Sequence, residues 1–327
     1  MKLDRIILAG FIWLLTTGRL LGQFSFYTNS GVIVITGYWG SEGNVVIPSS
    51  TNGYPVVSIN VNAFHNNLAL TNVTIPDTII NIGDYAFSYC HNLSNITVSA
   101  GNPNYASVGG VLFNKPPTTL ITCPAGFVGG YSIPNSVKNI YQYAFNQCAG
   151  LTTVAIPDSV TTIGTWAFGF CSRLQRVTIP RNVTMIGSYT FIYCTDLHQV
   201  FFQGNAPRVG TWDGSDGSAD TTVFYADSGV VYYVPGTAGW GSTFGGLPTA
   251  GWYQTQPQIL GSGCGLAGNE FEFTISWATN TDVVVEASTD LRSWTSILTN
   301  TLVNGTNLFS DPQWTNYPSR FYRIRSP

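Results

Sequence analysis

The chain has 327 residues, a net charge of −3, 45 aromatic side chains and only 29 charged ones. Thirteen scattered Lys and Arg residues give no electrostatic footprint for nucleic acid, and so many aromatics exclude a disordered acidic chain. With 35 Gly, 17 Pro and 9% charged residues, against about 25% in an average soluble protein, the composition points to a mainly β protein of about two domains and away from a coiled coil.

At the N-terminus, Lys2 and Arg5 precede ten apolar residues, 6–15, and then Thr16, Thr17, Gly18, Arg19, Leu20, Leu21 and Gly22. A basic head, a short apolar core and a small residue at the cut describe a secretory signal. The core is too short to span a bilayer, which takes about 20 residues, and Arg19 interrupts any extension. The expectation is a signal peptide over residues 1–22, cleaved near Gly22, and an exported mature chain with no membrane span. No cysteine lies nearby, which argues against a lipid anchor.

A fixed internal period follows. IPNSVKNIYQYAFNQCAGLTTVA from Ile133, IPDSVTTIGTWAFGFCSRLQRVT from Ile156 and IPRNVTMIGSYTFIYCTDLHQVF from Ile179 align without a gap at a step of 23 residues. An earlier copy starts at Ile75, and a degenerate one carries Val56, Ile59, Phe64, Leu70 and Val73 in register. Such a period denotes a solenoid and lies within the leucine-rich-repeat range. Each coil holds a Leu-x-x-Val-x-Ile segment whose last two apolar positions are two apart, as in a short strand facing a core. Pro76, Pro134, Pro157 and Pro180 end these strands, since proline cannot donate to a ladder. Val160, Ile163, Phe168 and their equivalents fill the space behind the sheet, with Phe87, Phe145, Phe168 and Phe191 as an aromatic spine.

The Ile-Pro, Ile-Gly, Ala-Phe and Cys-x-x-Leu elements resemble the BspA-type leucine-rich repeats of bacterial surface and secreted proteins, over roughly residues 45–203. The resemblance implies a mainly β solenoid with a parallel sheet on one face. The chain divides into an N-terminal β cap over residues 23–50, with VIVITGY paired to NVVIP, and repeats over residues 51–203. Residues 99–132 interrupt the repeats as one or two aberrant coils or an inserted hairpin, with β-like pieces 111–113 and 120–123 around a Pro-Pro turn. A C-terminal cap occupies 204–253, because the apolar end of a solenoid needs a lid. Residues 230–234 supply a strand there, and Trp240, Phe244 and Trp252 are placed to cover the end. A linker at 254–258 leads to a small antiparallel β-sandwich-like module over 259–327. Segments 271–277, 283–287, 296–298, 307–309 and 320–324 are its strands. STDLRSW, FSDP and SRFYRI resemble the C-terminal module of many exported bacterial repeat proteins.

Cys90, Cys148, Cys171 and Cys194 each precede the coil's Leu by three residues, with Asn67 in their place in the degenerate copy. The spacing lacks the close pairs of zinc sites, and thiols stacked in parallel have poor disulfide geometry. A ladder of small buried thiols is favoured, although an exported location permits oxidation. Cys123 and Cys264 have no evident partner.

Catalytic patterns are missing. His65, His91 and His198 fall at different phases of the repeat, so neither a metal site nor a Ser-His-Asp arrangement is supported. Residues 263–268 match GxGxxG, but a strand follows, so no helix N-terminus is present for phosphate and a flexible linker is expected. Asp213, Asp216 and Asp220 are a weak calcium candidate, not at EF-hand spacing. No cofactor is called for. Trp212, Tyr232, Tyr233 and Trp240 are aromatic enough to stack on sugars, although aromatics in a cap more often pack inward.

Strand phase supplies the candidate surface. Outward positions include Asn72, Asn95, Thr153, Arg176, Gln199 and Phe201, with His198 beside them. They form a nearly uncharged strip that ends in an exposed Phe201 next to Arg176, a pair of the kind that anchors interfaces. The favoured reading is a non-enzymatic repeat scaffold at the cell surface or secreted, binding a protein or glycan through its sheet face. A structural envelope or matrix component without a discrete ligand is the first alternative. A carbohydrate-active enzyme using Glu270, Glu272 and Glu286 is the second.

Overall fold

Every regular coil contributes two short strands. The computed structural model describes residues 23–210, 221–252, 256–277, 281–302 and 305–327. The signal-peptide residues, Trp212 and the acidic loop Asp213, Asp216 and Asp220 lie outside the described residues. The Leu-x-x-Val-x-Ile segments build one parallel wall, and the Ile-Gly segments build a second that the repeat pattern alone leaves as mere filling. The cause is close approach. A Cβ on Gly83, Gly164 or Gly187 would lie 2.4, 2.5 or 2.2 Å from a backbone nitrogen of the preceding coil, so only glycine lets these segments pair.

The hairpin of β1 (Phe24–Asn29) and β2 (Val32–Tyr38) turns through Ser30 and Gly31, at φ 49° and 80°, the left-handed pair that hairpin twist favours. β3 (Asn44–Val46) starts the first wall. After β4 (Ser50–Thr51), β5 (Tyr54–Ile59) pairs in parallel with β2 on the second wall. β6 (Asn72–Ile75) returns to β3, β7 (Asn81–Ile82) joins β5, and β8 (Asn95–Val98) joins β6. VIVITGY therefore does not pair with NVVIP. They are the two legs of one coil and stand on opposite walls, since residues 39–43 carry the chain around its edge. Phe24 and Tyr38 close this end against Phe64, with ring centroids 6.2 and 5.5 Å away.

The interruption is both a hairpin and a coil. β9 (Tyr105–Val108), β10 (Val111–Asn114) and β11 (Thr119–Thr122) form an antiparallel meander. β12 (Val128–Ser132) takes a first-wall position. β13 (Asn139–Ile140) then pairs in parallel with β11, and β14 (Gly150–Ala155) with β12. β15 (Thr162–Ile163), β16 (Arg176–Ile179), β17 (Met185–Gly187), β18 (Gln199–Phe202) and β19 (Arg208–Gly210) continue the two walls. β20 (Val230–Tyr233), β21 (Thr243–Phe244) and β22 (Leu247–Gly251) finish the first.

Between the walls the spine forms in two stretches, Phe87 stacking on Phe64 at 5.1 Å before the meander and the other rings beyond it. Phe145, Phe168, Phe191 and also Phe224, which the repeat alignment does not reach, stack at 4.8, 5.2 and 5.4 Å within 10° of parallel. Trp240 and Phe244 pack on Phe202 and close the far end. The buried core falls into two clusters, one reaching Leu112 and the other beginning at Val111 and Phe113, so the break lies in the meander.

Cys90, Cys171 and Cys194 donate to the carbonyls of Phe64, Phe145 and Phe168 one coil back, at 2.9, 3.1 and 3.0 Å. Burial pushes the Cys90 thiol up to about 11 and the Cys171 thiol well above its usual range. All six cysteines are free, and the Cys148 thiol donates to the Pro124 and Cys123 carbonyls at 3.4 and 3.7 Å. Asp227 takes the thiol's place in the last coil, where burial raises its carboxyl to about 7. Since Cys264 alone is exposed and reactivity follows thiolate access, titration of the native chain with a disulfide reagent is expected to count one fast thiol, and six after denaturation. Rapid reaction of several in the native state would refute the buried ladder.

β23 (Gln258–Ala267), β24 (Glu270–Ser276), β25 (Thr281–Ser288), β26 (Thr295–Leu302), β27 (Thr306–Asp311) and β28 (Phe321–Arg325) form two antiparallel three-stranded sheets around Phe273, Ile275, Val283, Val285, Leu302 and Phe309. GxGxxG residues 263–267 end β23 and Gly268, at φ 64°, opens the turn to β24, so the segment is not a linker. Gly265 and Ala267 pair with Glu272 and Glu270, and β24 satisfies the backbone that a free linker would leave to water. Asp311 gathers Arg320 at 2.7 Å and the Tyr322 hydroxyl at 2.8 Å, which accounts for the FSDP and SRFYRI segments.

Candidate binding face

Outward positions on the first wall follow from alternation. β16 and β18 each run exposed, buried, half-buried, buried. Arg176 pairs with Gln199, and Thr178 with Phe201, which pairs in turn with Tyr232. Arg176 and Phe201 are therefore diagonal neighbours on one face, within reach of long side chains. His198 sits at the strand entrance, its Nδ1 3.2 Å from the Ser228 carbonyl.

Two features differ from the simple strip. First, Phe201 is half-buried, not exposed. Its ring stacks on Tyr232 at 5.1 Å and tilts against Trp252 at 4.7 Å. Trp252 does not cover the solenoid end. Its amide bonds the Tyr233 carbonyl at 2.6 Å, which continues β22 and leaves the indole on the outer face. Tyr233 and Trp240 stack on each other at 5.2 Å and face the core, so of the described aromatic candidates only Tyr232 is on the surface.

Second, the wall is not one hydrogen-bonded ladder but three: β3-β6-β8, β12-β14 and β16-β18-β20-β22. Asn72 lies on the first and donates to Asn44 Oδ1 at 2.6 Å, and Asn95 donates to Thr97 Oγ1 at 3.0 Å. Thr153 lies on the second, exposed. The breaks fall between β8 and β12, where the meander intervenes, and between β14 and β16, and within the β12–β14 pair the register shifts between Gly129 and Gly130. The structure thus brings Arg176, Gln199 and Phe201 together with His198 near them, and leaves Asn72, Asn95 and Thr153 apart.

The remaining candidates do not assemble chemistry. His65 and His91 both lie against the Tyr89 ring, at 5.0 and 6.2 Å. No group of three potential metal ligands occurs among the described residues. Glu270 and Glu272 lie on β24, while Glu286 lies in the other sheet, bound to Arg323 at 2.6 Å and Arg325 at 2.9 Å. Those guanidiniums hold its carboxyl below the usual range, opposite to the shift a general acid requires.

The BspA type leucine rich repeat region matches residues 57–128 and 127–212, in six copies. The repeat array belongs to the BspA-type leucine-rich repeat family. The second copy block runs through β14, β16 and β18, so the BspA-type repeats themselves carry Arg176, Gln199 and Phe201. Among solved structures, the chain is similar to a leucine-rich repeat protein from Eubacterium ventriosum at 22% identity, over 58% of this chain and 73% of that one, with a TM-score of 0.44. The pneumococcal vaccine antigen PcpA is 20% identical over 62% of this chain, with a TM-score of 0.44, and the match spans 61% of that antigen. A leucine-rich repeat protein from Bacteroides ovatus is 19% identical over 68% of this chain and 71% of that one, at a TM-score of 0.38. None of the proteins of curated function matches this sequence. Among the described residues, no helix is long and apolar enough to cross a membrane.

Proposed function

We propose that the chain is an exported, non-enzymatic repeat protein that binds a protein partner through the C-terminal end of its first wall. The proposal carries with it a leader over residues 1–22, repeats over 51–203 between caps at 23–50 and 204–253, and a C-terminal module from residue 259. The observation that supports it is the Phe201, Tyr232 and Trp252 cluster, set diagonally to the exposed Arg176 and Gln199. Aromatic rings and arginine dominate the energetics of protein interfaces, and rings that already support one another lose little freedom on binding.

The test compares wild-type chain with a double variant, Arg176→Ala and Phe201→Ala, each immobilised against surface extract of the producing organism. Two hot-spot side chains at about 2 kcal/mol each correspond to roughly a thousandfold loss of affinity. A species retained saturably by wild type and released by the double variant supports the proposal. Equal retention places the interface elsewhere, and no saturable species favours a structural envelope role.

A further inference from the structure

A cleft of about 390 Å³ opens at the second wall, between the turn at residues 83–88 and that at 141–143. Its origin is a shortened turn. In regular coils the spine Phe follows its inward Ile by five residues, as Phe145 follows Ile140 and Phe168 follows Ile163. In the meander's coil Leu120 is the register partner of Ile140. The Cys123 amide donates to Ala144 at 2.6 Å, as that of Phe145 does to Ala167 at 2.6 Å. Cys123 therefore stands in a phenyl ring's place, two residues early. The spine is broken between Phe87 and Phe145, and the space of one aromatic turn is left open. Tyr85 and Tyr143, left-handed at φ 58° and 59°, lean toward each other across the gap with centroids 4.8 Å apart.

We propose that this cleft is a second binding site, separate from the sheet face, and that it takes one end of a neutral oligosaccharide. The lining argues for that chemistry. Tyr85, Phe87, Tyr105, Tyr141 and Tyr143 supply aromatic surface for the C–H face of a pyranose ring. Asn104 and Gln142 supply amide groups, and Thr119 and Thr122 hydroxyls, for its rim of hydroxyl groups, while Asn114 braces the lining by accepting from the Thr118 and Thr119 amides at 3.0 and 2.6 Å. Asp84 is the only charged lining residue, so a phosphate, sulfate or uronate would find a negative group and no cation. A purely apolar ligand would strip water from the Gln142 amide and the Thr119 hydroxyl at the lining without replacing its hydrogen bonds. Burial and the nearby Asp84 charge push the Tyr141 hydroxyl above its usual range, so a protonated phenol and an acid stand together at one edge of the cleft. The volume falls at the lower end of the range for ligand sites, about 300–1,000 Å³, enough for a chain end and not for a folded partner.

The full chain is titrated calorimetrically with neutral pentasaccharides of glucose (β1,4 and α1,4), mannose, xylose and N-acetylglucosamine, and saturation-transfer NMR identifies the sugar protons near the protein. At least one saccharide is expected to saturate a single site. Tyr85→Ala and Tyr143→Ala should each weaken it by up to about tenfold, and Thr119→Trp, which fills the cleft, should abolish it. Asp84→Asn, on an exposed side chain, should weaken binding without a change in melting, which keeps the test decisive if a tyrosine variant fails to fold. The double variant of Arg176 and Phe201 should bind sugar like wild type, so failure of the sheet-face proposal leaves this one standing, and the reverse. Absence of saturable binding by every neutral saccharide at millimolar concentration overturns the proposal. So does unchanged affinity in Thr119→Trp, or a sulfated saccharide or peptide binding in preference.

Discussion

Replacing Phe168 by Ala is expected to lower the unfolding free energy by about 3–5 kcal/mol. The ring is fully buried and stacked on both sides, 4.8 Å from Phe145 and 5.2 Å from Phe191. Its removal leaves a cavity that cannot collapse, because the two walls fix the distance between neighbouring coils and the flanking rings cannot slide inward without breaking ladder bonds. Solenoid stability is carried by nearest-neighbour interfaces, so the loss strikes two interfaces at once and should broaden the denaturation profile as well as shift it. Urea unfolding followed by intrinsic fluorescence measures both. Phe201→Ala is the contrast. Its ring lies half-buried on the outer face, so it should lose about 1 kcal/mol, in line with an aromatic pair's share. A Phe168→Ala loss below that of Phe201→Ala would contradict the spine.

Gly187→Ala is expected to destabilise the chain by about 3 kcal/mol, the upper part of the range for overpacking. The substitution adds a single methyl group to a backbone that alanine can adopt, so conformation is not the obstacle. The obstacle is the Thr165 backbone nitrogen, 2.2 Å from where the Cβ would sit. Backbone in a parallel ladder cannot move aside like the end of a side chain, and β17 must separate from β15, breaking the ladder there. Gly265→Ala is the matched control, since a Cβ there meets nothing within 4 Å, and its effect should stay within about 0.5 kcal/mol. Thermal melting of the two variants side by side distinguishes them. Equal melting temperatures would show that the Ile-Gly segments are spacers and not structural strands.

The thiol ladder shows how far pattern reading reaches. Four cysteines at one phase, each three residues before a Leu, are legible as stacked and small because a fixed period places identical residues in identical surroundings. What each thiol does, donating to a carbonyl one coil back, requires knowing how far apart the coils stand. The same limit applies to the binding face. Period two along β18 puts Phe201 outward, but period says nothing about Tyr232 and Trp252, which come from strands beyond the last repeat and convert an exposed ring into the centre of a cluster. The cleft was least legible. Its only trace in the sequence is an omission, Leu120 followed by Cys123 where regular coils continue to Ala-Phe.

From the sequence alone come the solenoid, its 23-residue coil, the column of phenyl rings and the strands of the C-terminal module. All of these rest on local periodicity, and periodicity fixes which way a side chain points. The tertiary structure decided that the Ile-Gly legs form a wall of their own, that the first wall breaks into three, and that GxGxxG pairs as a strand. It also decided where a cleft opens. These outcomes depend on the distance between backbones remote in sequence, and that distance is set by the whole stack at once.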